Sequence, residues 1–271
     1  MRVLELQGRD HGYKKGESLP DLKPNVDFDC VLSVKGHPVG AYWQQAPASL
    51  QALAEIADSE MRRDKVPRDT MERIVFIGPT DPETGWRKKI RLYQYSARLG
   101  WSAPRHHMRH PNARLSPAHK PGVAPDFIKA MSLLGKGAME HVRDEVPALF
   151  ETHQIAREAH CHKQYTFGSY FTSTISNSNI SAALHRDRMN APGALNVIYV
   201  KRWQSAGGCL AVPAYDAVFD QPDHSMLVYP ASRDDHAVTP IHPLRTGGYR
   251  NAHVFYSLRT TAWPKQPTIK K

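Results

Sequence analysis

The chain lacks the features that define several large classes of protein. No hydrophobic run approaches the roughly eighteen apolar residues that a bilayer span requires, so no membrane segment is expected. Cysteine is scarce: Cys30, Cys161 and Cys209 are odd in number and show no Cys-x-x-Cys spacing. That excludes a disulfide framework or a thiolate zinc site and fits a reducing, intracellular setting. The opening residues MRVLELQGRDHGYKKG hold no apolar core of a secretory signal, so a soluble protein of the cytoplasm, nucleoid or nucleus is expected. There is no Gly-rich phosphate loop entering a helix, no internal repeat and no flexible linker, which predicts one integrated domain over residues 1–271.

The most informative absence is of negative charge. From Trp86 to Ala124 there is no Asp or Glu, while Arg87, Lys88, Lys89, Arg91, Arg98, Arg105, Arg109, Arg114 and Lys120 supply nine cations with four histidines among them. The whole chain carries a formal charge of +10. A block this one-sided attracts polyanions, nucleic acid above all; a solvated basic face without a partner is the alternative.

What is present reads as an α+β protein. Residues 1–28 are polar and irregular. Cys30–Ser33 and Val39–Trp43 flank Lys35-Gly36 as a β-hairpin would. Leu50, Leu53, Ala54, Ala57 and Met61 recur at helical spacing, with Pro47 placed in the first turn. Ile74–Ile77 and the alternating Ile90–Tyr95 read as strands, and the Arg-, His- and Pro-rich residues 96–125 as a long functional loop. Two helices follow, over Asp126–Val146 and from Pro147 to Ala159. From Tyr165 to Arg259 the pattern changes to about eight short strands broken by Gly, Pro, Asn and Asp, the spacing of a barrel or jelly roll. The predicted organisation is a mixed α/β supporting region, 1–164, carrying the basic loop 86–124, and an all-β core, 165–260.

That core holds the candidate chemistry. His185 and Asp187, two apart on an extended strand, project to one side. A third ligand must come from a distant strand, and His236 lies 49 residues after Asp187. His224, His242 and His253 are less well placed: in a turn, before a proline and beyond the arginine, respectively. Two imidazoles and one carboxylate suit Fe(II) and leave coordination positions open. Arg250, beside Gly247-Gly248, can hold the far carboxylate of a dicarboxylate co-substrate, because guanidinium binds carboxylate bidentately; Arg245 and Arg259 are alternatives. His160-Cys161-His162, at a helix end with no fourth ligand, is not read as a metal site. Gly207-Gly208 is read as a close approach of backbone, and the aromatics Tyr199, Trp203, Tyr215, Tyr229, Phe255 and Tyr256 mostly as core.

The ordered set His185-x-Asp187, Gly207-Gly208-x-Leu210, Pro213, His236 and Arg250 resembles the Fe(II)/2-oxoglutarate-dependent dioxygenases. More narrowly, FTSTISNSN leading into HRDRMN, then GGCLAVPAY and DDHAVTPI, is similar to the TET/JBP branch, which oxidises the 5-methyl group of pyrimidines in nucleic acid. The similarity spans residues 165–260. It implies a double-stranded β-helix (jelly-roll, cupin-like) core, with Fe(II) on His185, Asp187 and His236 and 2-oxoglutarate on Arg250. It also implies O2 as co-substrate and a base contact from Asn190. The partner expected is methylated DNA with the target base flipped out, 5-methylcytosine first and thymine second, oxidised to hydroxymethyl or beyond. Arg105 and Arg109, inside the basic block, are the candidate phosphate contacts. Many members of the family have Ser two residues after the arginine, where this chain has Ala252. Other readings are a hydroxylase of the same fold acting on protein, RNA or a small molecule, and a non-catalytic cupin-like binding module.

Overall fold

The computed structural model describes residues 1–63, 66–78, 80–103 and 113–259. Its main body is a 10-stranded sheet built from both ends of the chain. In chain order the strands are β1 (Arg2–Glu5), β2 (Cys30–Val34), β3 (His37–Trp43), β4 (Asp69–Ile77), β5 (Lys88–Ser102), β6 (Arg114–Leu115), β7 (Ser173–Ser178), β8 (Ala182–His185), β9 (Asn196–Trp203) and β10 (Ser205–Gly207). They continue with β11 (Leu210–Val212), β12 (Ala217–Phe219), β13 (Met226–Tyr229), β14 (His236–Val238), β15 (Ile241–Pro243) and β16 (Tyr249–Tyr256). The large sheet runs β1-β2-β3-β13-β9-β16-β7-β5-β4 with β6 on β5, and a 4-stranded sheet runs β12-β11-β14-β8. The chain passes between the two as it moves from β7 to β16, so β7, β16, β9 and β13 face β8, β14, β11 and β12. This is a double-stranded β-helix of the jelly-roll kind.

Period-two patterning sets the two faces of the large sheet. Along β9, Ile198 and Val200 turn inward to Leu210, Val212 and Phe219 of the small sheet. Val197 and Tyr199 turn outward, where they join the cluster that holds the helices. Those helices are α1 (Ala48–Arg62), α2 (Pro125–Glu145) and α3 (Pro147–His160). α2 comes close because Gly135 has no side chain: a Cβ there would stand 2.7 Å from the Phe255 ring. α1 is tied down by Asp58, fully buried, which accepts from Asn251 and Tyr249 and pairs with Arg62 at 2.9 Å.

Several expectations are met and several are corrected. The hairpin at Lys35-Gly36 forms, both residues having positive φ. The three helices stand within a residue or two of their expected bounds, with Pro47 as the N-cap of α1 rather than inside its first turn. The lead-in is not wholly irregular: β1 pairs in parallel with β2. The supposed loop from residue 96 is strand as far as Ser102, because β7 offers a partner over Tyr95–Gly100. Trp203 is not core; it is 46% exposed, with Arg245 over its ring. No helix among the described residues is long and apolar enough to cross a membrane.

Candidate metal centre and anion seat

β8 and β14 are paired so that His185 stands directly opposite His236, their ring centroids 4.4 Å apart. Asp187 lies just past the end of β8, in the following turn and not on the strand as expected. Its backbone N–H donates to the Ala231 carbonyl at 3.1 Å, which fixes the turn and brings Oδ1 to 3.5 Å from His185 Nε2. One ligand atom from each of the three residues lies within 4.8 Å of the others.

The surroundings prepare these groups for a cation. His185 Nδ1 is 2.8 Å from the Ala183 carbonyl and His236 Nδ1 is 3.2 Å from the Asp234 carbonyl. A carbonyl only accepts, so each Nδ1 carries the hydrogen and each Nε2 keeps its lone pair. Asp187 Oδ2 accepts from the side-chain amides of Asn190 and Asn196, both at 3.2 Å, leaving Oδ1 for a ligand. Burial pushes the Asp187 carboxyl up, but His185 and His236 outweigh it and hold the group below its ordinary range. Burial and the neighbouring His185 hold His236 down, while the Asp187 carboxylate raises His185. Two nitrogens and one oxygen with a half-open side fit a divalent transition metal.

The cavity above this cluster has a volume of about 580 Å³ and is also lined by Asn177, Gln221, Tyr229, Arg250, Ala252 and Tyr256. Arg250 reaches it because β16 points Arg250, Ala252, Val254 and Tyr256 inward, whereas Asn251, His253 and Phe255 point to the helices. The arginine is only 2% exposed, and its Nη2 donates to Gln221 Oε1 at 2.6 Å. Among the described residues its Nε has no partner and no carboxylate pairs with it. Burial, with Arg202 nearby, pulls its pKa down to about 9. A buried cation without a counter-charge is costly, and an arriving carboxylate would remove that cost. Gly208 makes room for it: a Cβ there would lie 2.6 Å from Arg250 Cδ. The close approach expected at Gly207-Gly208 is thus made to the Pro240 carbonyl by Gly207 and to the arginine by Gly208. One strand, β15, separates Arg250's strand from that of His236.

The competing residues are engaged elsewhere. His224 meets Glu55 and Asp223, but Lys201 Nζ already lies 3.2 and 2.8 Å from those carboxylates and supplies the charge. His242 pairs with Asp21, His253 is buried against Ser176, Arg245 covers Trp203, and Arg259 donates to the Arg188 carbonyl. Cys161, in the His-Cys-His run, is buried and donates to the Leu258 carbonyl. Asn190 is only 5% exposed, and its amide hydrogens are taken by Asp187 and Asn196. Arg105 and Arg109 lie outside the described residues. Sequence reasoning missed Asn196 and Gln221, while Tyr229, read as core, is buried and also borders the cavity. The signal for Asn196 was a polar residue heading the otherwise apolar run NVIYV; nothing local marks Gln221.

A second concavity, about 780 Å³, lies along β5 and is lined by Arg68, Asp69, Ser96, Arg98, Arg114 and Lys120 among others. Ser96 and Arg98 register with Asn177 and Ile175, which register with Ala252 and Val254. The groove therefore shares one sheet face with the cavity, two strands away from Arg250's strand. It holds four guanidinium or ammonium groups and one carboxylate, Asp69, which pairs with Arg98 at 2.9 Å.

No protein-family model matches the chain, and no curated relative matches it by sequence. Among solved structures it is similar to NgTET1 in complex with 5mC DNA, with TM-score 0.56 and 10% identity over 86% of this chain and 78% of that one. Weaker likenesses are to a 2OG-Fe(II) oxygenase family oxidoreductase from Burkholderia pseudomallei (TM-score 0.42, 13% identity, 80% and 82% covered) and to a 2OG-Fe(II) oxygenase family protein from Caulobacter crescentus (0.43, 10%, 82% and 78%). At such identities the likeness is one of fold, and the first of them agrees with the double-stranded β-helix traced by the strand order.

Proposed function

We propose that this protein is an Fe(II)/2-oxoglutarate-dependent dioxygenase that oxidises the 5-methyl group of 5-methylcytosine, or of thymine, in DNA. The observation that carries the reading is that one cavity joins a His-Asp-His donor set to a buried guanidinium that has no counter-ion among the described residues. In this reading residues 165–260 form the catalytic core of a single domain and residues 1–164 support it. DNA as the substrate is favoured by the basic groove on the cavity's own sheet face and by the fold likeness to a protein solved with 5mC DNA.

His185, Asp187 and His236 would hold the iron, and Arg250 the distal carboxylate of 2-oxoglutarate. Bound together, Fe(II) and 2-oxoglutarate use O2 to hydroxylate a C–H bond, with succinate and CO2 as co-products. The chain's own task is placement. Asn190 and Asn196 keep Asp187 turned so that one oxygen faces the ligand side. Ile175, Val254 and Leu258 line the cavity with apolar surface that keeps water from the reacting carbon. A methyl group within a duplex cannot reach this depth, so the base enters flipped out, at a cost of a few kcal/mol. Asn190 Oδ1 remains to accept from a base amine, its hydrogens being committed. Arg98, Arg114 and Lys120, with Arg105 and Arg109, would take the flanking phosphates.

The test is incubation of methylated and unmethylated DNA with protein, Fe(II), 2-oxoglutarate and O2, followed by digestion to nucleosides and mass analysis. Hydroxymethyl products dependent on all three additions are expected. Succinate release without any oxidised base would replace DNA by another substrate; neither succinate nor oxidised base from metal-loaded protein would overturn the reading.

A further inference from the structure

Two buried donors, on residues that line the cavity, have no partner among the described residues: Arg250 Nε and Gln221 Nε2. Gln221 is fully buried, lines the cavity, and follows β12 by two residues. Its orientation is determined by chemistry. Oε1 accepts from Arg250 Nη2 at 2.6 Å, and a flipped amide would set NH2 against a guanidinium that can only donate. Its backbone carbonyl accepts from Arg202 Nη1 at 3.0 Å, which fixes the residue from the other side. The amide NH2 is thus presented beside the guanidinium with its hydrogens unspent. Two residues along β16, on the same inward face, stands Ala252, which has no hydroxyl to offer.

We infer that Gln221 is a specificity-determining residue of the co-substrate seat, donating through Nε2 to the distal carboxylate beside Arg250 and supplying the hydrogen bond that Ala252 cannot. The inference rests on the proposed use of 2-oxoglutarate. One carboxylate oxygen takes Arg250 Nε–H and the other takes Gln221 Nε2–H, so both orphaned donors are satisfied by a single group. Gln221 also holds the guanidinium through Oε1 without neutralising it, which Glu at this position would do.

The experiment is calorimetric titration of Mn(II)-loaded protein, without O2, using 2-oxoglutarate and, separately, 2-oxobutyrate, which has the 2-oxo acid end but no distal carboxylate. Gln221→Leu is expected to weaken 2-oxoglutarate about tenfold or more, the worth of a hydrogen bond to a charged group, and to leave 2-oxobutyrate and Mn(II) affinity unchanged. Gln221→Glu should weaken 2-oxoglutarate further, by pairing with Arg250. Adding Ala252→Ser to Gln221→Leu should recover part of the loss, which also distinguishes a lost donor from a damaged fold. Unchanged 2-oxoglutarate affinity in Gln221→Leu, or an equal loss for both oxo acids, overturns the inference alone. Failure of the unsubstituted protein to bind 2-oxoglutarate overturns it together with the proposed function.

Discussion

Asp187 is held by two amides, and the two differ in what holds them. Asn190 sits in the turn after Asp187, whereas Asn196 heads a strand paired along its length with β13 and β16, so Asn196 is the rigid support. Replacing Asn196 with Leu removes its hydrogen bond to Asp187 while preserving size. The expected outcome is a loss of about 10- to 100-fold in Mn(II) or Fe(II) affinity, as is usual when a ligand loses its orienting partner. Isothermal titration checks it, and unchanged affinity would show that Asn190 alone suffices. His185, Asp187, His236 and Arg250 were legible because histidine, carboxylate and arginine are informative types in a fixed order. Asn196 and Gln221 were not, since a buried amide differs from a surface one only in what tertiary packing brings to it. Even for His185 and Asp187 the expected cause does not hold throughout: Asp187 reaches His185 by a hydrogen-bonded turn and not by strand alternation.

At the scale of the element, β5 joins the basic groove to the cavity through its neighbour. Its second half pairs with β7, whose Ile175 and Asn177 line the cavity, while Ser96, Arg98 and Ser102 of β5 line the groove. In β5, Ile90–Tyr95 were legible from alternation. Its continuation was hidden by Arg, Ser and Gly, which read as loop until a neighbouring strand supplies the ladder. Gly100, at φ +73, has room there only because it lacks a Cβ, which would lie 2.5 Å from the Thr172 carbonyl. Strand formation here is a property of the pairing, not of local preference. If the groove follows a DNA backbone, affinity falls steeply with salt, and Lys120→Ala lowers the slope of log K against log[salt] by about 0.9, one phosphate's share. Filter-binding or anisotropy titrations at several salt concentrations measure this. A slope unaltered by the substitution removes Lys120 from the DNA surface.

Across the whole molecule, stability should depend on pH through two histidines far from any ligand role. His153 and His253 are both buried, and burial lowers each pKa to about 4. The unfolded chain takes up these protons near the ordinary histidine value, about 6.5. Their contribution is therefore complete above that value and is lost as pH falls from about 6.5 toward 4. At pH 5 the loss is about 2 kcal/mol for each. Urea unfolding at pH 7.5 and pH 5 is expected to show a markedly lower midpoint at pH 5; equal midpoints would mean that the imidazoles are not buried as described. The architecture was legible from the change of period near Tyr165, but the role of the first 43 residues was not. β1 begins a parallel pairing that nothing in a polar lead-in announces, and β3 then lies along β13. A chain begun at Ala48 would keep every metal ligand and the arginine, yet leave the outer edge of β13 as a row of unpaired N–H and C=O groups. Such an edge is a template for other chains. The boundary of a useful recombinant fragment is thus set by sheet closure and not by the extent of the motif, and a version trimmed to residues 165–260 would be recovered as aggregate.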